Sequence, residues 1–266
     1  MDVIGEKPRR QVGLGRRLAA LGLALGALLM GDVGAAQAPA PAKPLLKGKI
    51  QGGEALVNPV WAEAKDPKNH RYTFRAPSAT ASPAARKLTA YLPKELTIAA
   101  LAKSGPGASS GKPVVVTVSG GRTTPVTIVL GEGQSVEFVN ADPFSHKLYD
   151  VAKVKSGLAP EETIKGGRRK WQPPGVGVYE LRDVLSPSVR SWIVVEPRVV
   201  AVTTPAPDGT FALRELEPGS YDLQGFFMGK AVGKALAVDV QLVPAEQEAP
   251  GALVVGEPKK DADEDK

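Results

Sequence analysis

The chain has 266 residues but no cysteine and only two histidines, His70 and His146. The absence of cysteine excludes disulfide bonds, thiol catalysis and metal binding through thiolates. Few imidazoles are left for acid–base catalysis, and the chain contains no P-loop, no H-E-x-x-H metalloprotease motif and no G-x-S-x-G nucleophile motif. We therefore predict that the protein is not an enzyme.

Strong helical periodicity is also scarce. The 29 glycines and 24 prolines make up a fifth of the chain, and 42% of the residues are apolar. Abundant turn residues together with enough apolar residues for a core favour many short strands joined by tight turns. The composition therefore predicts a mostly β fold.

The first 36 residues are typical of a signal peptide. Four arginines between positions 9 and 17 precede an apolar run at 18–31, and small residues follow at 33–38. The apolar run is shorter than the ~20 residues that a membrane-spanning helix needs, and a signal peptidase could cut after Ala35 or Ala36. We predict a periplasmic or secreted protein that touches a membrane only if the signal remains uncleaved.

The rest of the chain divides at changes in composition. Residues 45–65 have the pattern of a hairpin around Gly52-Gly53, and 93–105 have the pattern of a short helix. Charged residues without an apolar pattern dominate the last stretch. The predicted segments after the signal are a Pro-rich spacer (37–46), N-terminal strands with a short helix (47–105), a central domain (112–197), a further β unit (198–245) and a disordered tail (246–266).

The central domain contains a strand that leads directly to a histidine. The stretch "VEFVNADPFSH" (136–146) alternates apolar and polar residues until Asn140, and His146 follows the strand end. Together with "PPGVGVYELRDVLSPSVRSWIVV" (173–195), the region resembles the two halves of a cupredoxin, the plastocyanin-like copper fold. "DGTFALRELEPGSYDL" (208–223) resembles the signature of the carboxypeptidase-regulatory-like β-sandwich, and "KGKIQGG" (47–53) resembles its first hairpin.

This combination is similar to exported cupredoxin-like proteins, often called methylamine-utilisation-like, that carry an attached regulatory-like sandwich. The resemblance implies a cupredoxin-like Greek-key sandwich plus a small regulatory-like β-sandwich. It also allows the cupredoxin-like unit to be inserted between the first hairpin and the rest of the second sandwich.

The resemblance also identifies the positions of four copper ligands. His146 occupies the position of the first histidine, but Asp183 stands in place of the thiolate, Ser186 in place of the second histidine and Val189 in place of the axial methionine. Type 1 copper needs two imidazoles and a thiolate. The resemblance therefore implies a lost copper site, with His146 as a vestigial ligand and no cofactor.

Other roles for His146 remain open. Its ring could bond to the backbone or to Asp142, or it could contact the carboxylate of Asp183, which the resemblance places nearby. The same pair could instead form a weak nitrogen and oxygen site for Cu(II) or Zn(II). Copper is therefore the alternative cofactor.

A second candidate site is the basic run "KGGRRKW" (165–171). Its cations could attract a polyanion while the indole stacks on it, or the run could be a solvated loop. The formal net charge of the chain is only +6, so we do not expect a nucleic-acid partner. The residues proposed for this binding site are Lys165, Arg168, Arg169, Lys170 and Trp171.

The function predicted from the sequence is an exported, non-catalytic binding or scaffolding module of the periplasm or envelope without a type 1 copper site. Its partner would be an unidentified envelope protein or a polyanion. One alternative is a copper-binding or electron-transfer protein with an atypical site at His146. The other is an envelope protein that binds a polyanion or polysaccharide.

Overall fold

The computed structural model describes residues 43–57, 89–107, 111–214 and 216–257. The predicted signal peptide, most of the predicted spacer and the end of the predicted tail lie outside these ranges. The described chain is mostly β, as predicted, with one helical turn, α1 (Leu92–Glu95), and one 3-10 turn (Gly53–Ala55). None of its helices has the length and apolar character needed to cross a membrane.

The part of the chain that the structure describes contains sixteen strands. The first eight are β1 (Leu45–Gln51), β2 (Leu96–Ala102), β3 (Val114–Val118), β4 (Thr123–Thr124), β5 (Thr127–Leu130), β6 (Val136–Asn140), β7 (Leu148–Asp150) and β8 (Arg168–Trp171). The others are β9 (Gly177–Asp183), β10 (Arg190–Val195), β11 (Val199–Thr203), β12 (Thr210–Leu213), β13 (Gly219–Phe227), β14 (Lys230–Val240), β15 (Glu246–Glu248) and β16 (Leu253–Val254).

Strands β3 to β10 form a β-sandwich, here called the central sandwich. One sheet has the order β4-β3-β6-β8 and the other β5-β10-β9-β7. Alternate residues of the strands point inward, so that Val116, Phe138, Leu181 and Ile193 are fully buried in one core. Period-2 burial of this kind is what an apolar–polar alternation produces. The predicted mostly β fold is thus confirmed, and these strands form a β-sandwich.

The strands on either side of the central sandwich in the sequence form a second one, here called the split sandwich. Its sheets are β11-β2-β13-β14 and β12-β1-β15, with β16 also paired to β1. Leu46, Ile98, Phe211 and Leu223 lie in its core. The chain therefore leaves the split sandwich after β2 and returns to it at β11.

The two sandwiches share a third buried cluster. Ala99 and Leu101 of β2 lie in one cluster with Val129 of β5 and Val194 of β10. Beside it, the Thr127 hydroxyl donates to the Glu95 carbonyl at 2.8 Å and accepts the Met228 amide at 3.0 Å. Apolar burial and satisfied polar groups thus both hold the sandwiches together.

The predicted helix at 93–105 is wrong. Only α1 is helical, and β2 follows it at once. Six of the seven residues of β2 are buried, because one face packs inside the split sandwich and the other faces the central sandwich. A strand buried on both faces has no polar alternation, so its sequence resembles that of a buried helix.

Of the predicted hairpin at 45–65, residues 58–65 lie outside the described ranges, and the part from 45 to 57 and the tail predicted to be disordered from 246 differ from the prediction. β1 is followed by the 3-10 turn and pairs instead with β12, β15 and β16. β15 and β16 belong to the tail, and Leu253 and Val255 are buried. Parallel pairing with β1 orders these residues, although the polar sequence around them carries no strand pattern.

Candidate functional site

His146 lies in the loop between β6 and β7 and is only 1% exposed. Its backbone forms a two-way bridge with Thr163, in which each amide donates to the other carbonyl at 3.0 and 2.8 Å. Leu148, two residues later, pairs with Asp183 at the end of β9. This register brings the end of β9 beside the histidine.

Both nitrogens of the His146 ring contact carboxylates. Nδ1 lies 3.0 Å from Oδ2 of Asp183, and Nε2 lies 3.1 Å from Oδ2 of Asp142. All three side chains are buried. We call this arrangement the Asp142–His146–Asp183 clamp, because it joins the loop after β6 to the loop after β9.

Asp183 organises the loop that follows it. Its Oδ1 accepts the amides of Leu185 and Ser186, both at 2.7 Å, and its Oδ2 accepts the amide of Lys147 at 2.9 Å. Three amide donors and one ring nitrogen thus surround the carboxylate. Such a set of donors stabilises the anion and compensates for its burial.

Asp142 is held in a similar way from the β3–β4 turn. Gly120 and Gly121 donate their amides to Oδ1 and Oδ2 at 2.6 and 3.0 Å. Both glycines have φ near +60°, a left-handed conformation that strains residues with a side chain. Burial alone would raise the pKa of Asp142, but these amides and the His146 ring together lower it below its ordinary value.

The contacts determine which groups donate. The lowered pKa keeps Asp142 an anion at neutral pH, and the three amides that donate to Asp183 favour its ionised form. Each carboxylate therefore accepts a hydrogen bond from the ring. An imidazole that donates from both nitrogens is the imidazolium cation. The hydrogen-bond geometry therefore predicts one cation between two anions, which NMR of the ring nitrogens can test.

The residues of this site do not fit type 1 copper. The sequence supplies no thiolate, and both ring nitrogens of His146 already contact carboxylates. Asp183 is occupied by amide donors, and Val189 is a fully buried core residue. Within the described ranges, no group of three or more metal-binding side chains has a geometry suited to an ion.

The five residues proposed as a polyanion site are not brought together on one surface. Trp171 is buried, packs edge-on against Tyr179 and donates its indole N–H to the Ser156 carbonyl. Arg169 donates to the carbonyls of Leu148, Ala159 and Glu161.

Of the others, Arg168 is exposed but paired with Glu137 at 2.8 Å, and Lys165 and Lys170 are also exposed. The reason is that residues 168–171 form β8, where alternate side chains point to opposite faces. An exposed indole beside a basic cluster, as stacking on a polyanion requires, is not formed.

No protein-family model and no curated protein matches the chain. Among solved structures, a Cu-containing nitrite reductase from Thermus scotoductus SA-01 is 22% identical with a TM-score of 0.30, over 32% of this chain and 22% of that one. The match thus spans about a fifth of the reductase.

Amicyanin structures also match. A reduced proline-to-phenylalanine mutant is 20% identical over 37% of this chain and 99% of that chain, and the Cu(I) form of a methionine-to-alanine mutant is 20% identical over 39% and 100%. Both have a TM-score of 0.30. Scores this low carry no conclusion about chemistry.

The sequence did not identify all members of the site. Gly120 and Gly121 act through backbone amides, which have no residue-type signature beyond a Gly-Gly turn. Asn140 was also missed: its side chain accepts the Asp142 amide at 2.8 Å and donates to the Phe144 and Thr163 carbonyls. A buried asparagine at a strand end, where the loop must be tied down, is the signal that could have found it.

The lowered pKa of Asp142 predicts how stability depends on pH. Because the pKa is below that of the unfolded chain, ~3.9, the carboxylate stabilises the fold fully above that value and progressively less as the pH falls through the folded pKa. Asp142→Asn should lower the free energy of unfolding by about 2 kcal/mol at pH 7. It should also have a flatter acid limb, which means that its stability falls less steeply as the pH is lowered. Urea denaturation between pH 2 and 7 measures both effects.

The exposed Glu132 in the turn between β5 and β6 supplies the control. Glu132→Gln should leave the stability at pH 7 and the shape of the acid limb close to those of the parent. Parallel acid limbs for Asp142→Asn and the parent would contradict the role assigned to Asp142.

Proposed function

We propose that the protein is an exported, non-catalytic binding or scaffolding module whose cupredoxin-like central sandwich has replaced a type 1 copper site by the clamp. The observation that carries this proposal is that both ring nitrogens of His146 contact carboxylates, at 3.0 and 3.1 Å. A ring saturated in this way stabilises the loops and leaves no lone pair for a metal. Export is supported by the signal-like pattern of residues 1–36.

A binding role is supported by apolar side chains on the loops that the clamp fixes. Phe144, Ile164, Val184 and Leu185 are 48%, 65%, 54% and 49% exposed. Phe144 packs against the His146 ring, with centroids 5.1 Å apart, and Leu185 follows Asp183 closely in the chain. Large exposed apolar side chains near one rigid site are typical of surfaces that contact a partner.

Copper loading tests the proposal. Metal analysis of protein purified from its native host, followed by titration with Cu(II), should give no stoichiometric copper and no intense visible absorption, since no thiolate exists for charge transfer. His146→Gln and His70→Ala, which alters the only other histidine, should bind Cu(II) as weakly as the parent. One copper per chain that is lost in His146→Gln but kept in His70→Ala would support the atypical copper site instead.

A further inference from the structure

A groove lies on the central sandwich where β7 continues into the following loop. Its volume is about 600 Å³. It is lined by Tyr149 and Asp150 of β7, by residues of the loop over 153–160, here called the wall, and by Val184, directly after β9. None of its lining residues belongs to the Asp142–His146–Asp183 clamp.

The surface of the groove is mainly apolar. Leu158 is buried, while Val154 and Val184 remain 39% and 54% exposed. Ala159 and Pro160 add further apolar surface. Small-molecule sites have volumes of ~300–1,000 Å³, mostly apolar walls and a few polar groups. The groove therefore suits the apolar body of a small molecule that would cover Val154 and Val184.

The loop that forms the wall is held in a defined shape. The Asp150 carboxylate accepts the amides of Ala152 and Val154 at 3.2 and 3.3 Å, and the Asp150 amide donates to the Leu158 carbonyl at 2.9 Å. The buried indole of Trp171 donates to Ser156 at 3.2 Å. A ligand would thus meet a preorganised wall and would not have to order the loop.

Two residues of this loop have an unusual backbone. Lys153 has φ 50° and Ser156 has φ 64°, in the left-handed region that residues with a side chain seldom adopt. Strained conformations of this kind concentrate at ligand clamps and active sites. Lys153 combines this backbone conformation with a position in the lining of the groove.

The charges of the groove favour an anion. Asp150 is 1% exposed, and its carboxylate is engaged with the loop amides. Lys153 is exposed at the groove, and it forms no ion pair within 4 Å with any residue in the described part of the chain. The accessible charge is therefore the Lys153 ammonium.

We propose that the groove binds a small amphipathic anion, with its apolar body against Val154, Leu158 and Val184 and its carboxylate or sulfonate paired with Lys153. Burial of the apolar body supplies affinity, and the ion pair fixes the orientation. This site goes beyond the proposed scaffolding role, and Val184 is the residue that it shares with the loops that the clamp fixes.

The test uses 8-anilinonaphthalene-1-sulfonate, an apolar anion whose fluorescence rises in apolar sites. The intact protein should bind it saturably with one molecule per chain, and decanoate should displace it. Lys153→Glu and Val184→Asp should each raise Kd about tenfold or more, which corresponds to ~1.4 kcal/mol. Matched controls on the split sandwich, Lys234→Glu and Val243→Asp, should leave Kd within about twofold.

Far-UV circular dichroism and thermal unfolding of each variant show whether it is folded. Absence of saturable binding, or the same Kd in Lys153→Glu, Val184→Asp and the controls, would overturn the proposal. Flotation with phosphatidylglycerol vesicles separates a free ligand from a membrane. Vesicle binding that is lost in the groove variants, without displacement of the probe by decanoate, would assign the surface to a bilayer and would also overturn it.

Discussion

Replacement of His146 by alanine is expected to lower the free energy of unfolding by about 3–5 kcal/mol at pH 7. The substitution removes the cation between Asp142 and Asp183, which are 5% and 4% exposed. Two buried carboxylates would then lie in one site without their shared partner, and removal of one member of a buried charge set costs far more than the loss of a surface ion pair. Urea denaturation measures the change.

His70→Ala is the matched control for this experiment, because it changes the only other histidine of the chain. A loss of less than about 1 kcal/mol in His146→Ala, the range of an exposed pair, would show that the clamp does not stabilise the fold.

Asp183→Ala is expected to cost a comparable 3–5 kcal/mol. The substitution leaves the amides of Lys147, Leu185 and Ser186 and one ring nitrogen without their acceptor. An unsatisfied buried donor costs about 1–3 kcal/mol, and water can reach some of these amides after the loop relaxes. The loop after β9 should loosen first, so hydrogen exchange of the Leu185 and Ser186 amides should accelerate more than that of the β10 amides.

Asp183→Asn is the conservative control. Its remaining side-chain oxygen can accept part of the amide set, so we expect it to lose clearly less stability than Asp183→Ala. Equal losses in the two variants, or unchanged exchange at Leu185 and Ser186 in Asp183→Ala, would contradict the assigned role of the carboxylate.

The sequence predicted the fold best where strands have one buried face. The alternation in β6 and β9 was visible because water covers one side of each strand and the core covers the other. The same reasoning failed at β2, since both of its faces are buried. It also failed at β8, where a polar run forms an edge strand. The alternation of apolar and polar residues in a sequence shows which side chains are buried. It identifies a strand only where one face of that strand is buried and the other is exposed.

The candidate site was predictable in part for a different reason. The resemblance placed Asp183 near His146, and the chain spacing placed Asp142 within reach of the same ring. What the sequence could not supply was the backbone: the amides of Gly120, Gly121, Leu185 and Ser186 turn two isolated carboxylates into satisfied anions. Trp171 was misassigned because an aromatic residue beside cations looks like a binding site until its strand register is known.

The central claim is that His146 donates from both ring nitrogens to carboxylates and binds no metal. Long-range ¹H–¹⁵N NMR of the histidine rings at pH 7 tests it most directly. The clamp predicts two protonated nitrogens in the His146 ring and no change in their signals when one equivalent of Zn(II) or Cu(II) is added. A ring with one bare nitrogen whose signal shifts or broadens at stoichiometric metal, while the His70 signals do not, would contradict the claim.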